Sequence, residues 1–232
     1  IALEFGIDWT NSGEWGSASN PYIIREEKHL NNLKNILNGT AATGSIQGST
    51  YASVTNPVAK DKSYAGAYFV LEGSFAFTGP IGGDGKPFAG NFNGNGNTIT
   101  LTIGSGSWVG LFGFIGVGGH VHDLNISANV KGTYRVGGVA GRSDGKISNC
   151  TVSGTITGAN NWVGGIAGYN RGIIQGCTNN ANVTGSENYV GGITGFNNED
   201  GATDRIDEDD NYIVATVTNC INTGKITGSA GA

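Results

Sequence analysis

The six-residue string Val-Gly-Gly-Val/Ile-Ala/Thr-Gly occurs at Val136 to Gly141, Val163 to Gly168 and Val190 to Gly195, each copy 27 residues after the one before. A period held twice without drift means that the chain is built from stacked copies of one supersecondary unit. A degenerate copy lies upstream as Val109-Gly110-Leu111-Phe112-Gly113, one residue shorter. The second half of the unit repeats as well. Val121 and Leu124 become Ile147 and Cys150, then Ile174 and Cys177, then Val217 and Cys220. Six residues after each of these second positions stands Val130, Ile156, Val183 or Ile226, with a small residue between them at Ala128, Gly154, Ala181 or Gly224. These positions share one parity, so on a strand they face one side, and that side is expected to point inward.

Each unit reads as a first strand around the Val-Gly-Gly block, a glycine turn, a short second strand and an alternating third strand. Parallel stacking of such units describes an all-β fold, a right-handed parallel β-helix of about six coils. Asp123, Asn149, Gly176 and Asn219 immediately precede the Leu124, Cys150, Cys177 and Cys220 slot. All four are types that tolerate left-handed backbone, which predicts a sharp bend there. Glycine supplies 42 of 232 residues without a period of three, so its use here is turns and close backbone approach, not collagen. The three cysteines fill one slot of the repeat. Stacking sets their Cα atoms about 4.8 Å apart with parallel Cβ vectors, whereas a disulfide needs Cβ atoms at roughly 3.8 Å. They read as buried free thiols acting as small hydrophobes.

Upstream of residue 108 the pattern loosens, although Ala67 to Phe77 and Asn97 to Ile103 still read as strands. Glu26 to Leu37 places Leu30, Leu33 and Leu37 on one face, and Asn38-Gly39 supplies a stop. This predicts a helix over 26–37 that covers the open edge of the first coil. The expected division is an N-terminal α-helical capping segment over 1–60 and a β-helix over 61–232, interrupted by an acidic insertion at 198–211.

A net charge of −5 and a pI near 5.1, with no basic stripe, exclude nucleic acid as the expected partner. No apolar run in this chain is long enough to span a membrane. The chain opens at Ile1 and contains no methionine, so it is expected to be a mature or excised piece of a longer protein. The repeat phase places the next Val-Gly-Gly at about position 233, so the natural polypeptide is expected to continue or to be capped by a neighbour. A monomer is expected.

The string Phe88-Ala89-Gly90-Asn91-Phe92-Asn93-Gly94-Asn95-Gly96-Asn97-Thr98-Ile99, the block Val109-Gly110-Leu111-Phe112-Gly113 and the Val-Gly-Gly repeats together resemble the GLUG-motif repeat family. The segment Gly16 to Ile24, followed by a Leu-rich helix, is also similar to the start of such regions. The resemblance implies a β-helical repeat region of a bacterial protein that is extracellular or attached to the cell surface. It also implies kinship with large surface proteins and with zinc metallopeptidases of the immunoglobulin A1 protease type. No peptidase chemistry carries over, because no His-Glu-x-x-His exists in the chain and its only histidines are His29, His120 and His122.

Three clusters carry candidate chemistry. Trp108, Arg135, Trp162 and Tyr189 immediately precede the four Val-Gly blocks, while Phe114, Arg142, Tyr169 and Phe196 occupy a second column just after them. Stacking aligns each column at about 4.8 Å, close enough for ring stacking and arginine–π contact. The columns read as staples between coils, with a glycan-binding or host-protein-binding strip as the sharper reading. The acidic insertion holds Glu199, Asp200, Asp204, Asp207, Glu208, Asp209 and Asp210, a density of hard oxygen ligands that suits calcium or a merely solvated loop. Asp204, Asp207, Glu208, Asp209 and Asp210 are the candidate calcium ligands; no other cofactor is expected. His120 and His122 flank Val121 on one strand face beside Asp123 and read as a solvated pair, with a metal site as the alternative. Arg142 and Arg171 near the acidic insertion leave a carbohydrate-active β-helix enzyme as a competing class, yet no paired carboxylates recur on one face. The expected function is therefore a non-catalytic stalk or adhesion module. The alternative is an accessory region of a metallopeptidase or a carbohydrate-active enzyme.

Overall fold

Alternation along the longest strands decides which way the chain faces. In Thr98–Ile103 the residues Ile99, Leu101 and Ile103 are buried and the threonines between them are not, and Asn125–Gly132 repeats the pattern with Ile126, Ala128 and Val130 inside. A period of two with one buried face is what a sheet packed on a core requires. The computed structural model describes residues 16–38, 64–198 and 214–229. In it the strands pair in parallel and stack into a β-solenoid of about five turns.

Three walls enclose the core. One is a seven-stranded sheet formed by Tyr22–Ile24, Tyr68–Leu71, Asn91–Asn93, His120–His122, Lys146–Ser148, Ile173–Gln175 and Thr216–Thr218. The second runs from Phe75–Phe77 through Thr98–Ile103, Asn125–Gly132 and Thr151–Gly158 to the split rungs Thr178–Asn179 with Asn182–Gly185 and Ile221–Asn222 with Ile226–Thr227. Among the described residues the third contains the strands Phe112–Ile115, Ala140–Ser143, Ala167–Asn170 and Thr194–Asn197, with single bridges from Ile81 and Phe88 onto the first of them. About five turns close where the repeat predicts about six. Register follows the sequence period: Thr151–Gly158 pairs residue for residue with Asn125–Gly132, Ile156 beside Val130 and Val152 beside Ile126.

The inward slot is filled as expected by Leu124, Cys150 and Cys177, all buried, and the thiols are free. Cys220 in the last rung is only half-buried. The bend ahead of this slot is left-handed in every coil, with φ of +52° at Asp123, +53° at Asn149, +64° at Gly176 and +52° at Asn219. One small-residue position departs from the expected inward face. Gly154 is exposed with φ +97°, and a Cβ there would lie 2.1 Å from the Ala128 carbonyl oxygen, so this position kinks outward where Ala128 and Ala181 point in.

The helix spans Glu27–Asn38, one residue later at each end than predicted. Leu30, Leu33 and Leu37 join the core cluster, Lys34 Nζ donates to the Thr78 carbonyl at 2.7 Å, and the Gly82 N–H donates to Asn38 Oδ1 at 2.8 Å. Among the described residues Phe75–Phe77 has a strand neighbour on one side only, and the helix packs beside it at this edge of the sheet. The opposite end has no such cover among the described residues: Ile221 is 58% exposed, where its counterpart strand residues one rung earlier are paired on both sides.

Candidate functional site

The third wall and the arches leading into it bring the two aromatic columns together. Phe114, Arg142, Tyr169 and Phe196 stand in one register column, since Phe114 pairs with Arg142, Arg142 with Tyr169 and Tyr169 with Phe196. Val109, Val136, Val163 and Val190 also pair in sequence, so Trp108, Arg135, Trp162 and Tyr189 just before them form a second column. What lets the columns close on each other is the glycine that ends each Val-Gly-Gly block. A Cβ at Gly168 would lie 2.5 Å from Val136 N and 2.7 Å from Trp162 O, and one at Gly195 would lie 2.4 Å from Val163 N. Only glycine allows backbone to approach that near.

The result is one interlocked strip. The Arg135 guanidinium carbon lies 3.9 Å from the Trp108 ring centre and 4.9 Å from those of both Trp162 and Tyr169. Trp162 packs 4.8 Å from Tyr169 and stacks on Phe196 at 5.8 Å with the planes 19° apart, while Tyr189 meets Phe196 edge-on at 4.9 Å. Arg142 sits over Phe114 at 4.6 Å and Asn198 Nδ2 donates to the Tyr169 hydroxyl at 2.8 Å. Tyr134, which the repeat did not single out, joins with its ring 4.7 Å from Trp162. Exposure grades along the strip from Tyr169, 6% exposed, to Tyr189 at 49%; Trp108, Arg135 and Trp162 are half-buried.

Backbone geometry adds a signal that composition hides. Trp108, Arg135, Trp162 and Tyr189 have φ of +58°, +55°, +69° and +66°. Left-handed backbone costs a bulky L-residue roughly 1–2 kcal/mol, and glycine or asparagine would be cheaper. Large side chains are held at strained positions in four successive coils, so their contacts must offset that cost.

The two arginines differ electrically. Arg142 binds Asp144 through Nε to Oδ1 at 2.7 Å and Nη2 to Oδ2 at 2.5 Å, and Arg171 approaches the same carboxylate at 3.5 Å. Arg135 has no carboxylate partner among the described residues, its Nε and Nη1 are buried without a hydrogen bond, and burial pulls its pKa below the ordinary arginine value. Trp162 Nε1 and Asn161 Oδ1 are likewise buried and unpaired.

His120 and His122 lie on the opposite wall. They do not form the solvated pair expected: both are half-buried, with rings 4.4 Å apart, because the strand on each side supplies partners. His120 Nε2 bonds Ser148 Oγ at 2.8 Å, and His122 bonds Asp123 at 2.7 Å and Asn91 Oδ1 at 3.0 Å. Burial, aided by His122 and Lys146, lowers the His120 pKa to about 4. Among the described residues no three His, Cys, Asp or Glu converge as a metal site would need. Asp204, Asp207, Glu208, Asp209 and Asp210, with the rest of the acidic insertion beyond Asn198, lie outside the described residues.

Two asparagine ladders escaped the sequence reading. Asn170 Nδ2 donates to Asn197 Oδ1 at 2.7 Å, and Asn179 Nδ2 donates to Asn222 Oδ1 at 2.7 Å, with Asn170 and Asn179 fully buried. The signal was present as asparagine at equal repeat positions, but the coils below carry Ser143 and Val152 there, which broke the column.

Comparison with known proteins adds one motif match. The sequence model of the GLUG motif matches residues 132–157, the segment that closes one coil from Gly132 to Thr157. The chain carries a GLUG motif. The GLUG-bearing coil is therefore the one whose Val-Gly-Gly block holds Arg135 and Arg142 at its two ends. The chain is also 28% identical over 148 residues to a protein described as a Gly-rich membrane protein of Evansella cellulosilytica, an alignment that covers 61% of this chain. The GLUG-bearing chain spans about 15% of that relative's length. No solved structure matches it.

Proposed function

We propose that this β-solenoid is a non-catalytic repeat module of a secreted or surface-attached bacterial protein, and that it binds glycan along the aromatic–arginine strip. The observation that carries the reading is the strip itself: Trp108, Trp162, Tyr189 and Phe196 lie along one side of the stack over the buried Tyr169, with Arg135 and Arg142 between them. Sugar rings present C–H faces that pack on aromatic π-faces, and a run of rings at coil spacing offers successive platforms. Similarity to a fragment of a much longer Gly-rich membrane protein supports a module within a larger surface chain. The strained backbone under Trp108, Arg135, Trp162 and Tyr189 supports selection for those side chains.

Tyr189→Ala separates binding from stapling, since Tyr189 is half exposed and packs through an edge contact with Phe196. On a glycan array, wild type is expected to bind a restricted set of oligosaccharides, and Tyr189→Ala to weaken that binding about tenfold or more while the melting temperature moves little. Unchanged binding with a lowered melting temperature makes the strip a staple and removes the reading.

A further inference from the structure

We infer that the upper end of the cysteine column is a binding site for a soft, two-coordinate cation of the Cu(I) class, held in line between Cys177 Sγ and Cys220 Sγ. Register stacks the three cysteine slots. Ile147 pairs with Ile174 and Ile174 with Val217 on one side of the slot, and Thr151 pairs with Thr178 and Thr178 with Ile221 on the other. The sulfurs repeat in detail as well. Cys150 Sγ lies 3.8 Å from the Val121 carbonyl oxygen and 3.3 Å from that of Ser148. Cys177 Sγ lies 3.8 Å from the Ile147 and 3.4 Å from the Gln175 carbonyl oxygen, and Cys220 Sγ lies 3.8 Å from the Ile174 and 3.2 Å from the Thr218 carbonyl oxygen. Matching contacts in successive rungs mean matching rotamers, so neighbouring sulfurs stand one rung apart, about 4.8 Å. Two metal–thiolate bonds of roughly 2.3 Å, laid end to end, span about 4.6 Å. A disulfide, at about 2.05 Å between sulfurs, does not fit that spacing, and all three thiols are free.

The donor set selects the ion. Packing asks this slot only for an apolar side chain, and Leu124 supplies one in the first coil. Sulfur in the three later coils adds a ligand that favours soft cations such as Cu(I). Zinc takes four ligands in a tetrahedron, and among the described residues no third His, Cys, Asp or Glu converges with a pair of these thiols. A column instead offers an ion two sulfurs on opposite sides, the linear arrangement that a closed-shell monovalent cation accepts. Backbone donors face the sulfurs: the Cys150 N–H donates to Cys177 Sγ at 3.5 Å, and the Cys177 N–H acts on the Cys220 sulfur one rung up. The hydrogen bond with the Cys150 thiol pulls the Cys177 pKa below its ordinary value. Burial holds the Cys220 pKa above its own, so binding has to displace that proton and strengthens as pH rises. Access singles out the upper pair. Cys150 and Cys177 are buried, whereas Cys220 is half-buried and its rung has no neighbour above it among the described residues. Terminal units open most readily, so the ion meets Cys220 Sγ first and takes up Cys177 Sγ as that rung parts. Two thiol protons leave for each ion bound, and no oxidation state changes.

The test titrates the intact, reduced chain with Cu(I) under anaerobic conditions against a chromogenic Cu(I) chelator, and reads the geometry of the bound ion by X-ray absorption. Cys150→Ser, Cys177→Ser and Cys220→Ser are titrated in parallel. Expected for wild type is a first equivalent of Cu(I) with two sulfur neighbours, taken up with release of protons and not displaced by Zn(II). Cys220→Ser and Cys177→Ser are each expected to weaken that binding by about a hundredfold or more, while Cys150→Ser retains it. Cys177 is buried, so Cys220→Ser at a half-buried position keeps the test decisive if the Cys177 variant does not fold. Failure of wild type to hold Cu(I) against the chelator overturns the site. Unchanged affinity in Cys220→Ser, or an ion with three or more sulfur neighbours, overturns the in-line pair. Binding that survives in a folded Cys177→Ser variant assigns the ion to Cys220 of two chains and overturns it as well.

Discussion

The guanidinium of Arg135 rests 3.9 Å above the ring of Trp108, a residue 27 positions earlier, and both residues hold left-handed backbone. Two bulky side chains thus accept strained φ values to meet face to face across a coil boundary. The same relationship recurs one coil later between Arg135 and Trp162, so each ring is a clamp between neighbours as well as a surface.

Trp162→Ala removes the packing of Tyr134, Tyr169, Phe196 and Arg135 at once and is expected to cost about 2–4 kcal/mol. Trp162→Gly is expected to be less damaging than alanine by several tenths of a kcal/mol or more, because glycine relieves the φ of +69°. Denaturant melts of the pair check the order; alanine proving the milder change would mean that the strain is not there.

Gly176 occupies the slot that holds Asn149 one coil below and Asn219 one coil above. Gly176→Asn is expected to change stability by less than about 1 kcal/mol, whereas Gly176→Val should cost more than about 2 kcal/mol, since a β-branched residue resists φ of +64°. A Cβ there would meet Asn149 Oδ1 at 2.7 Å, the end of a side chain that can move. Thermal denaturation of both variants decides.

Asn179→Val copies Val152 from the coil below and keeps strand propensity. It strips the Ala181 N–H of its acceptor at 3.1 Å, the Ala181 carbonyl of its donor at 3.1 Å and Asn222 of its partner at 2.7 Å. Stranding those groups is expected to cost about 2–3 kcal/mol. Equal or higher stability of the valine variant in a urea melt would remove the ladder as a stabilising device.

His120 should make the solenoid acid-sensitive. Its folded pKa of about 4 lies below the ordinary 6.5, so between those values the unfolded chain binds the proton and the folded chain does not. Stability from this group is therefore full above about pH 6.5, falls as pH drops, and levels near pH 4. Discounted for its partial exposure, the loss is about 1–2 kcal/mol. His120→Gln should flatten the slope in that window; an unchanged slope assigns it to other groups.

Thiol labelling should follow burial. Cys220, half-buried in the last rung, is expected to react first with a thiol reagent, and Cys150 last. The Cys150 thiol is held well above its usual range by its hydrogen bond with Cys177 and by burial, which further suppresses the reactive thiolate. Mass spectrometry of a time course gives the order, and Cys150 labelled before Cys220 in the native state contradicts the column.

The period of 27 residues was enough to assign coils, the inward slot, the free thiols and the left-handed bend at Asp123, Asn149, Gly176 and Asn219. In a solenoid, residues one period apart are spatial neighbours, so sequence spacing converts directly into contact. The helix was legible for the same local reason, its leucines recurring on one face. Where the columns fail to repeat, the sequence fell silent: Ser143 beneath Asn170 and Val152 beneath Asn179 concealed both ladders.

Other properties belong to the folded molecule alone. Spacing aligned Trp108 with Arg135 and Phe114 with Arg142, but it could not say that the two columns merge, because that depends on how far the arch bends at positive φ and on glycines that admit backbone contact at the bend. Nor could it separate Arg142, neutralised by Asp144, from Arg135, left uncancelled between rings. Repetition along one axis is written in the chain, whereas the closing of one wall against its neighbouring arch is a three-dimensional distance that only the assembled coil sets.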